Sequence, residues 1–216
     1  EIIIKDFYLE DGITEYVNKQ DVNATITWEN EKVRYYCITE KDDSNNCKWK
    51  ETSGKSVTAK YTLSENDGEK TVYAFLKDKF GNISPSKIDN IILDTLSPVE
   101  NSIEINDGDE YTTNKDVTLT LTSIGATKMC ISNTDNCDNW EEYSLSKEWS
   151  LPTGDGEKNV YAWYKDDTGN TTEYVMDTII LDMEKPTGDI VINNDETYTT
   201  SKTVTLTLSA TGANKM

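Results

Sequence analysis

Val117-Thr118-Leu119-Thr120-Leu121-Thr122 sets three apolar side chains against three hydroxyl-bearing ones in strict alternation. A period of two puts successive side chains on opposite faces of an extended chain. The stretch therefore reads as a strand with one face in a core and one in water. It returns as Val204-Thr205-Leu206-Thr207-Leu208-Ser209, from 117 to 204, an offset of 87. Val22, Ala24, Ile26 and Trp28 alternate with Asn23, Thr25 and Thr27 in the same manner. Asp67-Gly68-Glu69-Lys70-Thr71-Val72-Tyr73-Ala74-Phe75 returns as Asp155-Gly156-Glu157-Lys158-Asn159-Val160-Tyr161-Ala162-Trp163, and Ile91-Ile92-Leu93-Asp94 returns as Ile179-Ile180-Leu181-Asp182. Both returns lie at an offset of 88, from 67 to 155 and from 91 to 179. That period is too long for a solenoid unit and suits a small β-sandwich.

Turn signals punctuate the strands. Asn66-Asp67-Gly68 and Gly154-Asp155-Gly156 precede the Val-Tyr-Ala strands, and Phe80-Gly81-Asn82 and Thr168-Gly169-Asn170 follow them. No stretch of ten or more residues carries a helical period. About seven strands per repeat are predicted, in the second repeat near 102–106, 116–123, 127–132, 140–143, 147–151, 158–165 and 172–182. The fold class is all-β: tandem Ig-like sandwiches plus the first strands of a third. Residues 1–5 read as the closing strand or linker of a preceding repeat, 6–96 as the first repeat, 97–184 as the second and 185–216 as part of a third. The joints run from Asp94 to Pro98 and from Asp182 to Pro186. Proline fixes its own φ and keeps the residue before it extended, so a semi-rigid rod is expected, cut from a chain longer at both ends.

The chain has 216 residues and a formal net charge of −19, from 40 acidic and 21 basic residues. Such a balance excludes nucleic acid and anionic membranes as partners. No apolar run is long enough to insert in a membrane as a helix. There is no histidine, so Ser-His-Asp and Cys-His catalysis are excluded. Carboxylates such as Glu141 and Glu142 do not recur as a pair, and a small sandwich offers no cleft to fix two of them across a glycosidic bond. The chain therefore reads as non-catalytic.

Four cysteines fall in two pairs at matching places in the repeats, Cys37 with Cys47 and Cys130 with Cys137. Their unequal spacings and the lack of any CxxC argue against a shared metal geometry. Two local disulfides are expected, and with them an extracellular, cell-surface or secreted location. The alternative is four free thiols in a reducing compartment.

Acidic residues gather near the joints: Asp94, Asp107, Asp109 and Glu110, then Asp182, Asp195 and Glu196. Oxygen ligands there suit Ca²⁺, the one cofactor the sequence raises, although no complete DxDxDG loop is present and Asp is also an ordinary turn residue. Three sequons place Asn23, Asn82 and Asn170 as glycosylation candidates. Five tryptophans and 12 tyrosines raise a sugar-stacking platform, but Trp49 and Trp140 take equivalent places, as do Phe75 and Trp163, and recurrence reads as core.

Asp78-Lys79-Phe80-Gly81-Asn82-Ile83-Ser84 and Asp166-Asp167-Thr168-Gly169-Asn170 resemble the KDxxGN turn of prokaryotic Ig-like repeats. Tyr111-Thr112-Thr113-Asn114-Lys115-Asp116-Val117 is similar to their opening strand, and the Asp-to-Pro joints are similar to their linkers. The resemblance covers essentially the whole chain. It implies tandem Ig-like domains of large cell-surface or extracellular proteins, such as stalks, adhesins and secreted glycoside-active enzymes.

The function expected is a structural or adhesive segment, a stalk or surface-layer rod, whose partners are further repeats or other copies and weak contacts to surface glycans or proteins made useful by multivalency. A second reading starts from the two strands of the third repeat. They cannot bury Val204, Leu206 and Leu208 alone. Either the rest of the repeat covers them, or another chain completes them by strand exchange in a filament. Pairing of 203–209 only within its own chain, or exposure to solvent, argues against the filament. A third reading is a carbohydrate-binding accessory module, which requires exposed tryptophans.

Overall fold

The computed structural model describes residues 2–213. The match of Lys215-Met216 to Lys128-Met129, which extends the third repeat, lies outside the described residues. So does Glu1.

In the first sandwich, β1 (Ile4–Leu9), β2 (Tyr16–Val17), β3 (Asp21–Trp28), β4 (Val33–Thr39), β5 (Lys50–Glu51), β6 (Ser56–Thr62), β7 (Gly68–Asp78) and β8 (Lys87–Leu93) follow one another. They form a three-stranded sheet, β1-β3-β6, and a five-stranded sheet, β2-β8-β7-β4-β5. The β2–β8 pair is parallel and the remaining pairs are antiparallel. The alternation read from the sequence is what joins the sheets. Val22, Ala24, Ile26 and Trp28 from β3 meet Val72, Ala74, Leu76, Ile91 and Leu93 from β7 and β8 in one core. Thr25, on the other face of β3, is paired with Thr58 across the β3–β6 register, with their hydroxyls 2.9 Å apart.

Ile4 opens β1, and both Ile2 and Ile4 are buried in this core. The start of the chain, read as a closing strand or linker of a preceding repeat, is instead the first strand of the first sandwich. Three isoleucines in a row are compatible with either place. Only the burial partners decide.

The second sandwich repeats the plan with β9 (Val99–Ile105), β10 (Tyr111–Thr112), β11 (Asp116–Ile124), β12 (Lys128–Ser132), β13 (Glu141–Glu142), β14 (Ser146–Ser150), β15 (Gly156–Lys165) and β16 (Val175–Leu181). The sheets are β14-β11-β9 and β10-β16-β15-β12-β13. Val117, Leu119 and Leu121 are buried on one side of β11, and Val160, Ala162, Ile179 and Leu181 on the other sheet. Each sandwich thus has eight strands rather than seven. The additional strand is the two-residue β2 or β10, which pairs parallel with β8 or β16.

β17 (Thr187–Ile192) and β18 (Leu206–Thr211) form a two-stranded antiparallel sheet, with Ile190 opposite Leu208 and Ile192 opposite Leu206. The predicted strand over 204–209 is therefore displaced towards the C-terminus. A tight turn precedes the crossing strand in both places. Asp107 and Asn194 adopt left-handed φ values of 57° and 53°, as Asx residues do readily.

By contact the described residues divide into two compact units, 2–99 with 124–128 and 164–172, and 100–123 with 129–163 and 173–213.

Candidate functional site

Both predicted disulfides are present, Cys37–Cys47 and Cys130–Cys137, and no free cysteine occurs among the described residues. Cys37 lies on the outer face of the five-stranded sheet, opposite Phe75 in the β4–β7 register. The disulfide closes the segment between Cys37 and Cys47, and Phe75 is only 5% exposed. Next to it, the ammonium of Lys77 sits 4.1 Å from the Trp49 ring centroid and 5.0 Å from that of Tyr35. The first sandwich thus sets its own lysine against two rings, an arrangement stabilised by the ring quadrupoles.

The second sandwich builds the same face differently. Its disulfide spans a separation of 7 residues instead of 10. Tyr161 and Trp163 alternate with the buried Val160 and Ala162 along β15 and so stand on the outer face, half-buried. Their rings are 6.2 Å apart and nearly parallel, at 26°. Tyr174, just before β16, meets both edge-on at 5.1 and 5.7 Å. Tyr174 and Met176 remain 45% and 50% exposed.

This corrects the reading of the tryptophans as core. Trp28 is buried, but Trp49, Trp140, Trp149 and Trp163 are only partly buried. Recurrence marks a position as structurally equivalent. It does not say which face of the strand that position occupies.

The Gly-Asn turns are self-contained. Asp78 accepts from the backbone N–H groups of Phe80 and Asn82 and from Asn82 Nδ2, at 2.8, 2.9 and 2.8 Å. Asp166 accepts from the Asn170 N–H, from Asn170 Nδ2 and from the Thr168 hydroxyl. Asn82 and its neighbouring amides hold the Asp78 carboxyl below the usual range. At Asp166 partial burial works the other way, and the bonds from Asn170 and Thr168 outweigh it, leaving that carboxyl low as well. The sequons share these bonds. Asn82 Nδ2 is held by Asp78, and Asn170 Nδ2 by both Asp166 and Thr168. A glycan attached at that nitrogen competes with the turn, whereas Asn23 is exposed and its Nδ2 donates only to Glu10.

The seven acidic calcium candidates are spread over local turns. Asp94 accepts from the Leu96 N–H and Asp182 from the Glu184 N–H, while Asp107 accepts from the Thr120 hydroxyl. Asp195 lies in the tight turn before β18, and Asp109, Glu110 and Glu196 are exposed. Among the described residues no group of three or more His, Cys, Asp or Glu is placed to hold a metal ion. Glu141, in the carboxylate pair, is paired with Lys147 at 2.5 Å.

β18 pairs within its own chain with β17, the outcome set against strand exchange, and Val204, Leu206 and Leu208 are 39%, 49% and 47% exposed. The edge that β11 gives to β14 is unpaired in β18 among the described residues.

One recurring pair escapes the sequence reading. Asp89, on the inward side of β8, accepts a 2.7 Å hydrogen bond from the backbone N–H of Leu9 at the end of β1. Asp177 on β16 does the same for Ile105 at the end of β9, also at 2.7 Å. Each carboxylate crosses from one sheet to the edge strand of the other. The signal was available: an aspartate at an inward position of an otherwise apolar strand, repeated from 89 to 177.

No protein family's model matches this chain, and no curated protein matches it. Among solved structures it is similar to the fibronectin(III)-like modules of Clostridium thermocellum CbhA, at 11% identity and a TM-score of 0.46, over 84% of this chain and 94% of that one. It is also similar to the BSP domain of a biofilm-associated protein, at 9% identity and a TM-score of 0.28, over 82% of this chain and 29% of that one.

Proposed function

We propose that this chain is a non-catalytic structural and adhesive segment of an extracellular surface protein, a stalk or rod of tandem Ig-like sandwiches. One observation carries the reading: the same three-on-five sandwich, with its own disulfide and its own carboxylate between sheets, is built twice in one chain. Duplication adds length and valency, which suit spacing and display, and two intact disulfides suit an oxidising location. Small-angle scattering of the oxidised chain tests it. A compact globule of 216 residues has a radius of gyration of about 17 Å. A spacer gives a value well above that, and a value near it refutes the reading. The in-chain pairing of β18 with β17 speaks against strand exchange through this segment.

A further inference from the structure

A spacing role leaves the aromatic face of the second sandwich without a use. We propose that the outer face of β15 and β16, built on Tyr161, Trp163 and Tyr174, is a stacking platform for the neutral pyranose units of a glycan. The proposal goes beyond the spacer reading and does not depend on it.

The rings are already ordered. Tyr174 is wedged edge-on against Tyr161 and Trp163, so each ring is held by the other two and little side-chain freedom is lost when a ligand lands. On the equivalent face of the first sandwich Phe75 stands in the place of Trp163 and is only 5% exposed, so no ring is offered at that position. Two copies of one design thus differ in the exposure of this outer-face ring.

The position of the face selects the chemistry. β15 lies between β16 and β12, so its backbone groups are committed to the sheet and no peptide adds there as a strand. What is offered is the negative face of each ring, two tyrosine hydroxyls and the Asn159–Thr178 side-chain pair, bonded at 2.7 Å. A pyranose matches this with a face of weakly positive C–H groups and a rim of hydroxyls. The net charge of −19 opposes sulfated or uronic chains, which leaves neutral glycans.

The test uses the full oxidised chain, titrated by calorimetry and tryptophan fluorescence with cellohexaose, xylohexaose, mannohexaose and chitohexaose, with a heparin hexasaccharide as the charged control. At least one neutral hexasaccharide is expected to bind with a Kd of about 1 mM or tighter, with heparin silent. Tyr174→Ala, at an exposed position, is expected to weaken that binding about tenfold, and Trp163→Ala at least as much. Trp49→Ala, in the first sandwich, should leave it within about twofold. Silence from all four neutral sugars overturns the proposal, as does binding that Tyr174→Ala does not change. A proline-rich peptide that takes the face in place of sugar overturns it too. So does a concentration-dependent dimer that Tyr174→Ala abolishes while no sugar binds. None of these results alters the scattering measurement that tests the spacer reading.

Discussion

Replacing Asp89 by alanine removes the acceptor for the Leu9 N–H. Leu9 is 1% exposed and ends the edge strand β1, and its amide has the Asp89 carboxylate 2.7 Å away. A hydrogen bond to a charged group contributes roughly 1.5–3 kcal/mol, and an amide left unpaired in a buried setting costs about 1–3 kcal/mol. Asp89 is only part-buried, so water relieves some of that cost, and the expected loss for Asp89→Ala is about 2 kcal/mol. For a domain of this size such a loss lowers Tm by roughly 8–16 °C. Asp89→Asn keeps an oxygen in reach and should lose about 1 kcal/mol. Urea unfolding of the oxidised chain gives the free energies. Amide exchange read on peptides covering Ile4–Leu9 and Val99–Ile105 assigns the loss to one sandwich. Asp177→Ala should move the second set of amides by a similar amount and leave the first unchanged. If Asp89→Ala stays within about 0.5 kcal/mol of the parent, or if protection at Leu9 is unaltered, the bond between the sheets contributes nothing and the reasoning fails.

The disulfides should differ modestly. Loop-closure entropy gives about 2.7 kcal/mol for the separation of 10 and about 2.4 kcal/mol for that of 7, so Cys37→Ala/Cys47→Ala should cost slightly more than Cys130→Ala/Cys137→Ala, by urea unfolding; a clear reversal of that order refutes loop closure as the source of the stabilisation. The Gly-Asn turns make an acid dependence. Asp78 and Asp166 have lowered carboxyl pKa values in the fold, so as pH falls below the ordinary value of 3.8 the unfolded chain takes up protons first. The turns therefore stabilise fully above about pH 4 and lose that contribution as pH drops through the folded values. Asp78→Asn/Asp166→Asn should flatten stability against pH below 4, and an unchanged slope in acid melts tells against it. With the acidic candidates dispersed, melting in EDTA and in millimolar CaCl₂ should coincide; a raised Tm in calcium points to a site formed from those residues.

The strands were legible because their cores are one-sided. Val117, Leu119 and Leu121 are each at most 2% exposed while the threonines between them face outward, and no helical reading fits that period. β2 and β10 were not legible. Two residues cannot display an alternation, and their pairing is parallel to a strand far along the chain. The same limit applies to Val204, Leu206 and Leu208, whose pattern equals that of Val117, Leu119 and Leu121 although their exposure does not. Pattern states which side chains share a face. What covers the face is decided elsewhere in the chain. The aromatic site was hidden for a related reason, since a tryptophan on an outward position recurs as faithfully as one in a core.

The interval between the paired cysteines differs in length between the two sandwiches, 10 residues against 7. A bond ties the ends of each segment together, so a change of three residues between them stays local to one outer stretch of the sandwich. A tandem array can in this way vary the outer surface of each member while keeping one plan for the interior.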